Sequence, residues 1–461
     1  MKIKMHSPNP ARVLVIIMLA ALLALGGLTP AQTYADPGTI AYVRPNDTTG
    51  DEIRLIEPDG SNDRLLWRTN VPDLPELEQI SGLAWQPAAS ELAFASRHEE
   101  ACSMYSSDVY SIHADGSGYR RVTAPPACGA KGGLPTGTVN VYIANYTDTN
   151  GPFVVYFEGA PGPKSITLAP GNSTIVTFTN VADYGSFKQW GVVIFGLVRF
   201  FSVTGNADVL PGTTVNTGST ISMWEGYTSW GWTSPTWRSD GNQISYVFNG
   251  TTPYSSPASS TAPGGIGSYF FNILPVDLPS WIDHFTWAPA GARQDQVLYT
   301  GWAYDNEGWL REYIFVGTTG STSPGEALFE TGDGVGHTIL GLAWLPDSSG
   351  FLYSQTEGFN EYANIFKYSF ATGTSTRLTD FTSGYTHRMS ISPDGAQVVF
   401  EYQASGEWTD LYIDIDLWMM DRYGNGQTLF VQDARAPAWS PAALPEPVVY
   451  DHFVFLPSVI K

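Results

Sequence analysis

The stretch from Leu342 to Ser354, LAWLPDSSGFLYS, is an apolar strand ending in Trp344, one residue, Pro346, a turn of small polar residues, and a second apolar strand. The same grammar returns at Leu83 to Ser96 (LAWQPAASELAFAS), Pro235 to Phe248 (PTWRSDGNQISYVF), Phe285 to Gly301 (FTWAPAGARQDQVLYTG) and Met389 to Tyr402 (MSISPDGAQVVFEY). A truncated copy stands at Ala436 to Pro441 (APAWSP). Proline presets the φ of the first turn position, and an Asp-Gly or Ser-Gly pair supplies a residue that tolerates positive φ, so each copy folds back as a hairpin. Copies spaced by roughly 40 to 50 residues mark a repeat architecture, in which a unit cannot cover its own faces and stacks on its neighbours.

A second turn signal follows downstream in most units: Pro58-Asp59-Gly60-Ser61, Ala114-Asp115-Gly116-Ser117, Thr319-Gly320-Ser321, Ala371-Thr372-Gly373-Thr374 and Tyr423-Gly424-Asn425-Gly426. These join a third strand to a fourth. Second strands such as Gln243 to Phe248, Phe351 to Ser354 and Gln397 to Tyr402 are nearly continuous apolar runs, as sheets covered on both faces require. At the N-terminal end, Thr39 to Val43, Glu52 to Ile56 and Asp63 to Trp67 lack a first strand, whereas Ala436 to Pro441 is a first strand lacking the rest. The two ends therefore predict one composite sheet, with the strand of Trp439 beside the strands of Ile40 and Ile53, leaving no free edge.

Between Thr123 and Trp230 the repeat disappears. Thr136 to Phe201 carries its own alternation (Val139, Val141, Ile143; Val154, Tyr156; Ile166, Leu168; Ile175, Val176, Phe178) and predicts a small inserted β-sandwich at a junction where insertion is tolerated. The expected organisation is a signal segment over 1–35, propeller units over 36–130, the inserted module over 131–222, propeller units with the closing strand over 223–441, and a tail over 442–461.

Composition agrees with an all-β, globular chain: only 15% of residues are charged, 13% are aromatic, and Gly and Pro number 47 and 32. Lys2, Lys4 and Arg12, the apolar run Val13 to Leu28 and the small-residue site Thr33-Tyr34-Ala35 read as a secretory signal, with an uncleaved anchor as the rival reading. The chain is thus expected to be a bacterial protein, secreted or periplasmic, with no membrane span after cleavage. Its formal charge of -21 falls to about -24 without that segment, which argues against nucleic acid or anionic lipid as a partner. Cys102 and Cys128, alone in an exported chain, predict a disulfide.

The units resemble the TolB-type, WD40-like propeller repeat, whose pattern runs Trp-Ser-Pro-Asp-Gly, an apolar strand, Asp-x-Tyr, Asp-Gly and Leu-Thr. The matches are Ser392-Pro393-Asp394-Gly395 with Asp416-Leu417-Trp418; Trp85-Gln86-Pro87 with Asp108-Val109-Tyr110 and Val122-Thr123; and Trp344-Leu345-Pro346-Asp347 with Asn364-Ile365-Phe366 and Leu378-Thr379. The resemblance implies a six-bladed β-propeller with an inserted β-sandwich-like module. It specifies fold and leaves function open.

No Gly-x-Ser-x-Gly elbow is present, which disfavours a serine peptidase. His284, His337 and His387 stand just before the first strands of successive units, where first strands line a central channel, and Arg388 and Arg435 neighbour two of those positions. Some propellers of the TolB-like class are pectate lyases that hold a divalent metal with channel histidines, so the resemblance implies a weak candidate metal set of His284, His337 and His387 with arginine clamps for an acidic sugar. The three histidines lie at different offsets from the Trp or Ile marker, which argues against convergence. Trp224, Trp230 and Trp232 could stack on sugar rings, with core packing as the rival reading. The candidate ligand-binding residues are therefore His284, His387, Arg388, Arg435, Trp230 and Trp232. The expected function is a non-enzymatic binding or scaffold protein of the cell envelope or exterior, without a cofactor, recognising a protein or glycan. The alternative is a metal-assisted polyuronate lyase or hydrolase.

Overall fold

A computed structural model describes residues 38–444 apart from 47, 71–78, 100–105, 124–132, 186–187, 196–197, 200, 204, 225–230, 251, 259–267, 270–281, 283, 305–309, 320–325, 331–336, 358–360 and 407–413. Among the described residues the architecture is all-β and propeller-like, with six four-stranded antiparallel sheets and two five-stranded ones. Sheet 1 pairs Ile40–Arg44, Glu52–Ile56 and Arg64–Arg68 with Arg435–Trp439. Sheet 2 holds Ile80–Trp85, Glu91–Ser96, Asp108–His113 and Arg120–Arg121, and sheet 3 holds Trp232–Trp237, Gln243–Phe248, Thr252–Pro257 and Ser268–Tyr269. Sheet 4 runs Phe285–Trp287, Gln296–Tyr304, Leu310–Thr318 and Glu326–Glu330. Sheet 5 runs Ile339–Trp344, Gly350–Glu357, Tyr362–Ser369 and Thr374–Arg377, and sheet 6 runs Tyr385–Ile391, Gln397–Gln403, Ile415–Asp421 and Thr428–Val431.

The hairpin chemistry read from the sequence is what joins these strands. In Ser392-Pro393-Asp394-Gly395, Gly395 takes φ +68° and Asp394 Oδ1 accepts from Ala396 N at 2.9 Å. Gly60, Gly116 and Gly424 take φ of 83°, 85° and 86° between third and fourth strands. The turn at Thr319-Gly320-Ser321 lies largely outside the described residues.

Hydrophobic clusters form between successive sheets, because alternate residues of a strand point to opposite faces. Ala41 and Val43 pack with Leu92, Phe94 and Tyr110 of sheet 2, while Ile40 and Tyr42 pack with Val399, Leu417 and Met419 of sheet 6. Separate clusters join sheets 2 and 3, 3 and 4, 4 and 5, and 5 and 6. The first strands touch one another in a closed cycle through the same six sheets.

Polar contacts fix the spacing of this ring at two levels. At the Trp end of the first strands, Trp85 Nε1 donates to Ala438 O at 3.0 Å, Trp237 Nε1 to Ala84 O at 3.1 Å and Trp344 Nε1 to Thr286 O at 3.2 Å. In each case the acceptor is the residue just before the Trp of the neighbouring sheet. Trp287 deviates, donating to Ser245 Oγ at 2.9 Å. At the opposite end, buried acids accept from the backbone of the next sheet: Asp51 from Ile80 N at 3.2 Å, Glu312 from Ile339 N at 2.7 Å and Glu401 from Ala436 N at 2.5 Å. Trp85→Phe, which leaves the buried Ala438 carbonyl without its donor, is expected to lower stability by about 1–3 kcal/mol in urea unfolding.

The composite sheet forms as the two chain ends predict. Ile40 pairs with Trp439, Ala41 with Ala438 and Val43 with Arg435, and every residue of Arg435–Trp439 is buried. Thr39 N also donates to Ser440 Oγ at 2.9 Å across 401 residues of sequence.

Residues 136–224 form the two five-stranded sheets. One contains Lys164–Ile166, Phe153–Phe157, Gln189–Phe195, Val198–Arg199 and Gly205–Ala207; the other contains Ser173–Ala182, Thr136–Asn145, Ile221–Trp224, Phe201–Val203 and Thr214–Asn216. They share one core through Val139, Val141, Ile143, Phe153, Val155 and Phe178, whose alternation with less buried neighbours is the period-2 signal seen in the sequence.

Candidate functional site

The first strands surround a cavity of about 550 Å³ at the centre of the six-sheet cycle. Its wall is built largely of Leu, Ala, Ser, Thr, Trp and Pro from the repeated first-strand ends, and among the described residues the titratable side chains that line it are His284 and Arg388. Adjacent first strands approach backbone to backbone there: a Cβ on Gly341 would lie 2.5 Å from His387 O. The sequence supplies glycine where a side chain would force sheets 5 and 6 apart.

Arg388 is braced by Glu401 from the neighbouring strand of its own sheet. Its Nε lies 3.4 Å from Glu401 Oε1, and its backbone N donates to Oε2 at 3.1 Å. The same carboxylate reaches across to Ala436 N, so one buried acid positions the lining cation and fixes the next sheet. Arg435, expected beside it, is elsewhere: its Nη2 lies 2.5 Å from Asp51 Oδ2, both groups buried, and it is absent from the cavity wall.

The histidines do not converge. His284 Nε2 donates to Ile339 O at 3.2 Å, His337 Nδ1 donates to Thr356 O at 2.6 Å, and His387 Nε2 pairs with Gln403 Oε1 at 3.0 Å. Burial pushes the His387 imidazole below its ordinary pKa, against the pull of Glu401, and it does not line the cavity. Among the described residues no group of three or more His, Cys, Asp or Glu is placed to hold a metal ion. The charge of His284 adds slightly to the lowering at His387.

Trp232 lies in the core between sheets 2 and 3, with its ring against Tyr246, Phe248 and Tyr254 at centroid distances of 5.0, 4.5 and 5.1 Å. Its 2% exposure leaves no face for a sugar ring. Trp230, Cys102 and Cys128, and residues 1–35, lie outside the described residues.

The Asp-x-Tyr and Leu-Thr pieces of the repeat tie third strands to fourth ones. Asp108 Oδ1 accepts from Thr123 Oγ1 at 2.7 Å, and Thr123 Oγ1 accepts from Val109 N at 3.1 Å. Asn364, Thr379 and Ile365 N repeat the arrangement in sheet 5, at 2.9 and 2.9 Å. Asp108 also meets Arg121, which faces Glu158 of the residue 136–224 sheets. Sequence reasoning missed this last contact because its members are far apart in the chain.

No family model matches the chain, and no curated protein sequence matches it. Solved structures do. A protein from Agrobacterium tumefaciens described as TolB is similar at 17% identity over 44% of this chain, with a TM-score of 0.32, and the match spans 62% of that protein's length. TolB from Acinetobacter baumannii is similar at 13% identity over 92% of this chain and 71% of its own, with a TM-score of 0.33. A nidogen/laminin complex chain is similar at 10% identity over 88% of this chain and 100% of its own, with a TM-score of 0.37.

Proposed function

We propose that this chain is an exported, non-enzymatic binding or scaffold protein of the cell envelope or exterior, a six-bladed propeller with an inserted sandwich over 131–222, whose central cavity receives part of a protein or glycan partner. The observation that supports this reading most is the cavity of about 550 Å³ bounded by strands locked to one another by indole and carboxylate hydrogen bonds. Such a wall is preorganised, so little ordering cost is added when a partner enters. Arg388, already oriented by Glu401, offers a charge-assisted donor to an acidic group without rearrangement. The histidines, each holding a carbonyl or amide, supply positioning of the wall.

Immobilised full-length protein screened against acidic peptides and oligouronates tests this. A ligand that binds is expected to lose roughly tenfold to a hundredfold in affinity on Arg388→Gln, equivalent to about 1.4–2.8 kcal/mol. Filling the cavity by Leu342→Trp is expected to do the same with the circular dichroism spectrum unchanged. Binding that survives both substitutions in a folded protein would place the partner elsewhere and end this reading.

A further inference from the structure

Where the sheets of residues 136–224 meet sheet 2, three charged side chains are shut away from water. Arg121 Nη2 lies 2.5 Å from Asp108 Oδ2, and Arg121 Nη1 lies 3.9 Å from Glu158 Oε1, with the Asp108, Arg121 and Glu158 side chains each only 2% exposed. Asp108 is closely matched, since Thr123 Oγ1 also donates to its other oxygen at 2.7 Å. Glu158 is not: neither carboxylate oxygen has a donor at hydrogen-bonding geometry among the described residues. Arg121 is spent on Asp108 and too distant to bond it. If all three ionise, one negative charge is buried without compensation, an arrangement that proteins resolve by protonating the carboxyl. An acceptor without a donor adjoins it: Gln189 donates through Nε2 to Glu158 O at 2.7 Å, while its buried Oε1 has no partner among the described residues. Protonation takes the charge off a buried carboxyl whose nearest cation is committed to Asp108.

We propose that Glu158 is a proton-operated latch, seated as a neutral carboxylic acid where the residue 136–224 sheets meet sheet 2, and that losing its proton loosens that seat. This goes beyond the binding role above and does not depend on it. The groups that act on Glu158 are Arg121, Asp108 and Glu99 from the propeller side and Tyr184 from its own sheets. Burial pushes the Glu158 carboxyl up to about 8, with Arg121 and the Trp190 backbone N–H pulling it down and Asp108 and Glu99 adding to the rise. The latch is therefore strongest below the ordinary glutamate pKa of about 4.3, weakens as the pH rises from there, and is fully released by about pH 8.

Hydrogen exchange on the full-length chain from about pH 6 to about pH 10, corrected for intrinsic rates, reads the latch directly. Protection at 153–158, 189–193 and 120–123 is expected to fall roughly tenfold per unit as the pH rises from about 6 to about 8 and to level off above it, because the opened seat releases a proton that the closed seat keeps. Glu158→Gln, neutral at every pH, is expected to hold its protection across the whole range. A wild-type profile without that fall, or an equal fall in Glu158→Gln, overturns the proposal. Should Glu158→Gln fail to fold, infrared spectra of wild-type protein with isotope-labelled glutamate decide it: a protonated carboxyl titrating near pH 8 supports the latch, and its absence refutes it.

Discussion

Arg435→Met is expected to lower the unfolding free energy by about 3–5 kcal/mol, the range for removing one partner of a buried ion pair. Arg435 and Asp51 are 3% and 0% exposed, and the bond between them joins positions 384 residues apart. Removing the guanidinium leaves a carboxylate in the interior, and that same carboxylate holds Ile80 N at the entrance to sheet 2. The damage therefore spreads over both sides of the composite sheet. Adding Asp51→Leu is expected to recover much of the loss, because apolar replacement of both partners removes the stranded charge. Urea denaturation of the wild type, both single variants and the double variant closes the cycle. An arginine held ready for a ligand would leave the unfolding midpoint where it was, so an unchanged midpoint in Arg435→Met contradicts the assignment.

Deleting the chain from residue 435 onward is expected to abolish cooperative folding of the whole ring. The five buried residues of the closing strand leave, and three of them take a stitch with them: Trp85 Nε1 loses Ala438 O, Glu401 loses Ala436 N, and Ser390 Oγ loses Trp439 N at 2.9 Å. Ile40–Arg44 becomes an open edge, and the faces of sheets 6 and 2 that pack on the closing strand meet water. The truncated protein is expected to elute as aggregate on size exclusion and to show no sigmoidal melt. A synthetic peptide spanning 434–444 is expected to restore both when supplied during refolding. A truncated chain that melts as a monomer at the wild-type temperature would mean that closure contributes nothing.

The sequence carried the repeat because the turn favours particular chemistry, with Pro393 presetting φ, Asp394 accepting from Ala396 N and Gly395 taking positive φ, and the paired fragments at the two ends left one arrangement without an open edge. The site was less legible. Arg388 and Arg435 occupy similar places at the start of first strands, yet one lines the cavity and the other is buried against Asp51. Nothing local separates them, since the difference lies in which acid the partner sheet presents. Trp232 looked like a stacking surface because indoles serve both uses, and only its neighbours Tyr246 and Tyr254 decide for the core. Asp108, Arg121 and Glu158 belong to two different sheet systems, so no spacing rule brings them together.

Closure by Arg435–Trp439 also sets a schedule for biosynthesis. Ile40–Arg44 is made early, but its partner Arg435–Trp439 emerges only after nearly 400 further residues, as the 401-residue span of the Thr39–Ser440 bond records. At about 5–20 residues per second, that edge waits on the order of 20–80 s on the ribosome with its amides unpaired. A nascent chain with so long an interval between an edge and its complement keeps a strand open to pairing with other chains, and slowing the codons for 435–439 is expected to raise misassembly.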